Sequence, residues 1–109
     1  YLLTQRFINN CDKTNPDNYA YVKTLIDVDN YINYNISEIY AANVDWPNWN
    51  IKFWREHKEN AVWKWVLVDL DFGFGTGKKA DFNMIEFATS PVETRETNTP
   101  KATMLFRNM

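Results

Sequence analysis

Two polar residues in the middle of the chain have the types and spacing needed to orient a hydroxyl group and bind a metal ion. Asp45 lies in a predicted turn, and Asn50 follows five residues later. In such a D-x-x-x-x-N loop the carboxylate can face a substrate hydroxyl and accept its proton, while the amide oxygen turns back to a metal ion. Asp and Asn are also common turn and cap residues, so a plain turn remains the alternative.

A second acidic pair follows further along the chain. Asp69 and Asp71 are predicted to lie on the same side of a strand end, directly before a glycine turn. Carboxylate oxygens in this position suit Mg²⁺, Mn²⁺ or Ca²⁺, whose charge would cancel the repulsion between the acids. Asp71-Phe72-Gly73 also spells the metal-binding tripeptide of protein kinases. The alternative is a strand end that is capped by acids.

Lys78 and Lys79 come after the alternating glycines 73, 75 and 77 and could contact a phosphate group. Solvated surface lysines are the alternative interpretation. Because no strand-to-helix context is predicted around these glycines, the run is interpreted as a flexible turn.

Three helices are predicted to support these residues. The first covers residues 1–9, and the second begins at Pro16 with Asn15 as its cap. The third runs from Asn30 to near Asn43, capped by Asp27 or Asp29. Apolar residues at i, i+4, i+7 and i+8 predict a wide buried face on this third helix. The members of that face are Ile32, Ile36, Ile39 and Tyr40, with Tyr31 and Ala42 nearby and Asn33, Ser37 and Glu38 left for the solvent side.

A β-hairpin is predicted after the helices. Strands at 51–55 and 63–69 are rich in β-branched and aromatic residues, and the charged segment 56–61 joins them. Trp63, Trp65, Leu67 and Asp69 should share one face. A hairpin brings its two ends together, so Asp45 and Asp69 or Asp71 should face a common cleft, and mutual repulsion should raise at least one pKa. The predicted fold class is α+β.

Composition limits the remaining possibilities. The chain has 109 residues, enough for one domain or part of one, and is 45% hydrophobic and 17% aromatic, which argues against disorder. A net charge of -2 does not favour nucleic acid or an anionic membrane. No apolar run is long enough to span a membrane. The segment FNMIEFA is predicted as a short helix or an extended segment, 90–99 as a loop and 101–109 as the start of a helix.

Other reactive or aromatic residues are interpreted as structural. Cys11 is the single cysteine, and His57 stands in a charged loop without a second His or Cys nearby to complete a zinc site. The five tryptophans could form a sugar-stacking surface, but packing against the helix is favoured. They are Trp46, Trp49, Trp54, Trp63 and Trp65.

The order of these parts resembles a known family, the spore coat protein H (CotH) kinase family. The segments DNYINYNISEIYAANVDWPNWNIKFWR and KWVLVDLDFGFG carry the resemblance, and LLTQRFIN and MLFRNM carry it more loosely. The resemblance implies a reduced kinase-like fold with Asp45 as the catalytic Asp and Asn50 as a metal ligand. The family's D-x-D pattern selects Asp69 as the second metal ligand, whereas the literal tripeptide selects Asp71.

The resemblance also implies a function. It is that of an atypical secreted or coat-associated kinase that uses ATP with Mg²⁺ or Mn²⁺ to phosphorylate Ser or Thr on surface or coat proteins. The chain is expected to be a partial domain, residues 1–109, that lacks an N-lobe and the end of the C-lobe and is inactive by itself. The alternative is a noncatalytic surface, adhesion or coat-assembly module that binds a partner or carbohydrate.

Overall fold

The computed structural model describes residues 1–12 and 14–90. Four helices and two strands occur in this part of the chain, which confirms the α+β prediction and the order of helices before a hairpin. They are α1 (Leu2–Asn10), α2 (Pro16–Leu25), α3 (Val28–Tyr40), β1 (Lys52–Trp54), β2 (Lys64–Val66) and α4 (Met84–Thr89). The predictions for 91–99 and 101–109 fall outside the described residues.

Side-chain caps mark the beginnings of α2 and α3. The Asn15 side chain accepts a hydrogen bond from the Asp17 N–H, with Pro16 as the first helical residue of α2. At α3 the cap is Asp27, whose carboxylate accepts from the Asn30 N–H at 3.0 Å, so the helix begins two residues before its predicted start. The FNMIEFA segment contains the helix α4.

The two strands form an antiparallel sheet that is shorter than predicted. Lys52 pairs with Val66, Phe53 with Trp65 and Trp54 with Lys64. Left-handed residues bound the hairpin at both ends, because Asn50 has φ 58° before β1 and Asp69 has φ 56° after β2. These left-handed conformations turn the chain out of the extended geometry that a ladder requires.

Aromatic packing joins the sheet to α3. The rings of Tyr31 and Trp65 have centroids 4.5 Å apart, and Tyr1 stacks on Phe53 at 4.2 Å. Such aromatic pairs add specific geometry to apolar burial. The buried apolar residues that form the core are Ile8, Val22, Ile26, Val28, Tyr31, Tyr34, Trp46, Trp65, Met84, Phe87 and Ala88.

The predicted buried face of α3 is wrong for three of its four members, whereas Ile39 is half-buried and packs against the core. Ile32, Ile36 and Tyr40 are 47%, 58% and 82% exposed. Glu38, predicted to face solvent, is completely buried. The helix turns inward the face that carries Val28, Tyr31, Tyr34, Asn35 and Glu38. The apolar period misses this face because its polar members are buried through hydrogen bonds, which a hydrophobicity pattern does not register.

The tryptophans divide between core and surface. Trp46 and Trp65 are buried and Trp63 is half-buried, as core packing predicts, but Trp49 is 70% exposed and Trp54 46%. His57 is exposed in the hairpin loop, as predicted. Within the described residues, no helix has the length and apolarity needed to cross a membrane.

Candidate functional site

Asp45 lies in a turn that follows the end of α3. Ala42 has φ 52°, which reverses the chain directly after the helix. The Asp45 carbonyl accepts a hydrogen bond from the Trp49 N–H at 2.9 Å, closing the turn. Trp46 is 2% exposed and anchors this segment in the core. The Asp45 side chain is half-buried and lies on a loop that is held in place by this hydrogen bond and by the burial of Trp46.

The segment 69–74, here called the acidic turn, packs against the end of the same helix. The Gly73 N–H donates to the Leu70 carbonyl at 2.9 Å, and the Phe74 N–H donates to the Ala41 carbonyl at 2.6 Å. A Cβ at position 73 would lie 2.7 Å from the Ala41 oxygen, so this contact requires glycine. The acidic turn and the Asp45 loop therefore meet at the C-terminal end of α3.

A buried asparagine side chain connects the two loops directly. Asn43 Nδ2 donates to Glu38 Oε2 at 2.8 Å and to the Asp69 carbonyl at 3.2 Å. Asn43 and Glu38 are both 0% exposed. Neither residue was predicted as part of the site. The only sequence feature that could have indicated them is Glu38 itself, a charged residue inside the predicted third helix. Its polarity led to the prediction that it faces solvent.

The carboxylates of the two loops interact electrostatically. The pKa of Asp69 is raised, first by a hydrogen bond with the Asp71 side chain and then by the Asp71 charge; the Asp45 charge contributes in the same direction. Two carboxylates in contact favour protonation of one of them. The raised pKa of Asp69 agrees with the predicted repulsion between these acids. That Asp45 and Asp69 or Asp71 face a common cleft stays a prediction.

Asn50 lies between the Asp45 turn and β1. It is half-buried and has φ 58°, a conformation that Asn adopts more readily than most residues. Within the described residues, no group of three or more His, Cys, Asp and Glu side chains is arranged to hold a metal ion. The donor chemistry of the Asp69–Asp71 pair still suits a hard divalent cation. The ligand roles of Asn50, Asp69 and Asp71 stay predictions.

Lys78 and Lys79 lie in a neighbouring cleft of about 690 Å³. Its lining residues are Gly75, Thr76, Gly77, Lys78, Lys79, Asp81, Phe82, Asn83, Glu86 and Phe87. The Lys78 ammonium sits 5.0 Å from the centre of the Phe82 ring. The three aspartates are not among these lining residues, so the structure does not bring the lysines into one pocket with them. A Cβ at Gly77 would collide with Val44 Cγ2. The absence of a side chain at Gly77 therefore lets this wall of the cleft pack against the Asp45 loop.

Comparison with known proteins identifies the family. A search of curated proteins and a search of solved structures found no match. The family model described as CotH kinase protein matches residues 2–109, which is almost the entire sequence. The chain therefore belongs to the CotH kinase family.

Proposed function

We propose that this chain is part of a domain that transfers the terminal phosphoryl group of ATP to Ser or Thr hydroxyls of surface or coat proteins. Membership in the CotH kinase family supports a kinase-related function and an association with the spore coat. The observation that carries the proposal is the joining of the Asp45 loop to the Asp69–Asp71 segment at the end of α3, through the hydrogen bond from the Asn43 side chain to the Asp69 carbonyl. In phosphoryl transfer, positioning and electrostatics supply most of the catalysis, and carboxylates on two joined loops can contribute to both.

Each residue has a role in the proposed reaction. Asp45 orients the acceptor hydroxyl and takes up its proton as the oxygen attacks. Asn50 with Asp69 or Asp71 would hold a divalent cation, and Mg²⁺ or Mn²⁺ bound there would neutralise charge on the phosphates. Asp69 and Asp71 are in contact, and the raised pKa of Asp69 means that cation binding favours loss of a proton from the pair.

The lysines have a proposed role in nucleotide binding. Lys78 and Lys79 line a cleft whose glycine wall packs on Val44, the residue before Asp45. A phosphate chain that extends from that cleft toward Asp45 would place its charge beside both ammonium groups. Asp81 and Glu86 also line the cleft, so cationic and acidic groups face the same space.

The location and extent of the protein are part of the same proposal. We place it in the secreted, cell-surface or spore-coat fraction, and assign the activity to a parent protein in which further segments complete the domain. Residues 1–109 would then supply the carboxylates, while nucleotide binding by this chain alone is not required.

The test is phosphorylation by the complete parent protein, incubated with ATP and either Mg²⁺ or Mn²⁺ and followed by mass spectrometry of phospho-Ser and phospho-Thr. Asp45→Asn and Asp69→Asn should each reduce the initial rate by a factor of about 10² or more, the usual size of a general acid–base contribution. Asp29→Asn is the matched control, because Asp29 is an exposed carboxylate in the first turn of α3. Its rate should stay within about twofold, since an exposed helix-end charge affects stability by less than about 1 kcal/mol. Full activity in both site variants would contradict the proposal.

A second candidate function is partner or carbohydrate binding without catalysis, and exposed aromatic residues favour it. Trp49 and Phe74 are each 70% exposed, and Phe72 is 44% exposed. Trp49 belongs to the Asp45 loop and the two phenylalanines to the acidic turn. Titration with oligosaccharides, followed by tryptophan fluorescence, tests this function. Saturable binding that Trp49→Ala abolishes and Trp54→Ala leaves intact would support it.

A further inference from the structure

We infer that Asn43, held by Glu38, is a positioning residue that fixes the acidic turn at a set distance from the Asp45 loop. The consequence for catalysis rests on the proposed function. The structural part does not, because it concerns how two segments of the chain are joined. Neither residue carries chemistry on a substrate in this inference; both act through Asp69 and Asp45.

The contacts of Asn43 form a direct connection between the two loops. Asn43 lies two residues before Asp45 in the chain, and its side chain bonds the backbone carbonyl of Asp69 at 3.2 Å. One side chain and two peptide units therefore separate the residue proposed as the base from the residue proposed as a metal ligand. The backbone hydrogen bond from the Phe74 N–H to the Ala41 carbonyl joins the same two segments at the opposite end of the acidic turn from Asp69.

The backbone next to this bond needs support. Asp69 has φ 56° and Ala42 has φ 52°, so left-handed residues occur in both joined segments. Non-glycine residues hold such conformations at a cost of the order of 1–3 kcal/mol and keep them only where the surroundings determine them. The Asn43 side chain supplies that constraint at Asp69, and the chain reversal at Ala42 places the asparagine within reach.

Glu38 orients the asparagine. The Nδ2 group carries two hydrogens, and one goes to Glu38 Oε2 at 2.8 Å, which directs the other toward Asp69. Burial raises the pKa of Glu38, and the hydrogen bond from Asn43 opposes that shift. An amide at position 38 could accept the same hydrogen bond, so the oxygen rather than the charge is the required feature.

The polar cluster around this bond is costly. Asn43 Oδ1 is buried without a hydrogen-bond partner in the described part of the chain, whereas the Tyr34 hydroxyl and the Glu38 carboxyl interact with each other. Each unsatisfied buried group costs about 1–3 kcal/mol relative to a paired one. Apolar side chains would fill the same space more stably. The cluster lies where the two acidic loops meet, which is where a positioning role requires it.

The experiment compares Asn43→Ala with Asn35→Ala in the 109-residue chain. Asn35 is a matched control, because it is 2% exposed and its Nδ2 donates to the Tyr31 carbonyl inside α3, with no recorded bond to either loop. Amide hydrogen exchange reports local opening. In Asn43→Ala, protection of the Phe74 N–H should fall at least about tenfold more than that of the Ala41 N–H, a difference of about 1.4 kcal/mol. In Asn35→Ala the two amides should change by the same factor.

A second readout measures the site itself. Calorimetric titration with Mn²⁺ should show affinity reduced at least about tenfold by Asn43→Ala and within about twofold for Asn35→Ala. Glu38→Gln keeps an oxygen acceptor for Asn43 and should behave like the original chain in both measurements. Where Asn43→Ala does not fold, Asn43→Leu, which is close in shape and has no N–H donor, takes its place.

The outcomes separate this inference from the proposed function. If the original chain and all variants fail to bind Mn²⁺, the metal role of the aspartates is contradicted, while hydrogen exchange still decides whether Asn43 holds the acidic turn. If Asn43→Ala and Asn35→Ala lower protection equally at both amides, Asn43 is an ordinary core residue and the inference is overturned.

Discussion

Helix α3 contacts the rest of the chain at both ends through an asparagine, and the two junctions are built differently. At the N-terminal end, Asn30 Oδ1 accepts from the Trp65 N–H at 2.6 Å and its Nδ2 donates to the Trp65 carbonyl at 3.1 Å. Both halves of that amide are used. At the C-terminal end, Asn43 uses only its donor, while its oxygen has no partner among the described residues. The first junction is fully satisfied, and the second is not.

At the first junction, the Asn30 side chain makes the hydrogen bonds that a neighbouring strand would make to β2. Trp65 pairs with Phe53 of β1, yet its own N–H and carbonyl bond to Asn30 instead of to β1. A side-chain amide has the same donor and acceptor as a peptide, so Asn30 covers the open edge of β2 as a third strand would. An uncovered edge would leave these groups to water or to another chain. The first junction therefore stabilises the fold by pairing the backbone groups of Trp65.

The second junction combines left-handed backbone with buried polar side chains. Left-handed backbone at Ala42 and Asp69, and a buried carboxylate at Glu38, all lie within the segments that bring the aspartates together. Strain and unsatisfied polar atoms collect at functional sites because the surrounding structure can support them there. The difference between the ends of α3 therefore separates the part of the molecule that holds the fold from the part that holds the candidate site.

The largest expected effect is on the stable junction, from Trp65→Ala. Trp65 is 5% exposed and contacts the rings of Tyr31, Tyr1 and Phe53. Truncation should lower the free energy of unfolding by about 3–5 kcal/mol, measured by urea titration followed by circular dichroism. Trp54→Ala is the control on the same sheet, because Trp54 is 46% exposed and should cost less than half as much. Equal losses would mean that the sheet is not held through Trp65.

A smaller effect is expected from Asn30→Ala. The change leaves the N–H and carbonyl of a buried residue without partners, so the free energy of unfolding should fall by about 1–3 kcal/mol. Asn33→Ala, an exposed asparagine on the same helix, should stay within about 0.5 kcal/mol. Asn30→Asp keeps the acceptor and should fall between the two. A loss below that of Asn33→Ala would show that water covers the edge of β2 equally well.

Sequence reasoning succeeded where the determining contacts are local. The cap Asn15 and the presence of α1, α2 and α3 follow from neighbouring residues, whereas the choice of Asp27 over Asp29 as the cap and of helix over extended chain at α4 was left open. The inward face of α3 was missed because Glu38 is satisfied by Asn43 after the helix has ended, a contact that the helical period does not contain. A hydrophobicity pattern counts such a residue as solvent-facing.

The approach of the acidic loops was predicted, but for only part of the right reason. The hairpin does return the chain toward Asp45, yet β2 ends at Val66 and the remaining distance is bridged by Asn43 and by the Phe74 N–H. The chain turns at Asp69, where φ is 56°, and no residue type in the run Trp63 to Asp69 signals that turn. Lys78 and Lys79 were grouped with the site by their place after the glycines, whereas the fold gives them a separate cleft.

The smallest expected effect on stability, and the most direct on the site, comes from Asp71→Asn. The Asp71 side chain is the largest cause of the raised pKa of Asp69, and the Asp45 charge is a lesser one. Asp71→Asn should therefore lower the pKa of Asp69, and Asp45→Asn should lower it less. Carboxyl-detected ¹³C NMR titration measures both shifts, with Asp29→Asn as the control that leaves Asp69 unchanged. A larger shift from Asp45→Asn would mean that Asp69 is paired with Asp45 instead.

The same pKa fixes the sign of the pH dependence. A carboxyl whose pKa is higher in the folded state stabilises the fold below its unfolded pKa of about 3.9 and loses that contribution as the pH rises through the folded value. The original chain should therefore lose stability relative to Asp71→Asn across that interval, because both acids become charged while they are in contact. At a pH above this interval, added Mn²⁺ should restore the stability that the original chain has lost, if the Asp69–Asp71 pair binds the cation, since the cation would neutralise the two charges. A stability difference that is constant with pH would show that Asp69 and Asp71 do not share a proton in the folded chain.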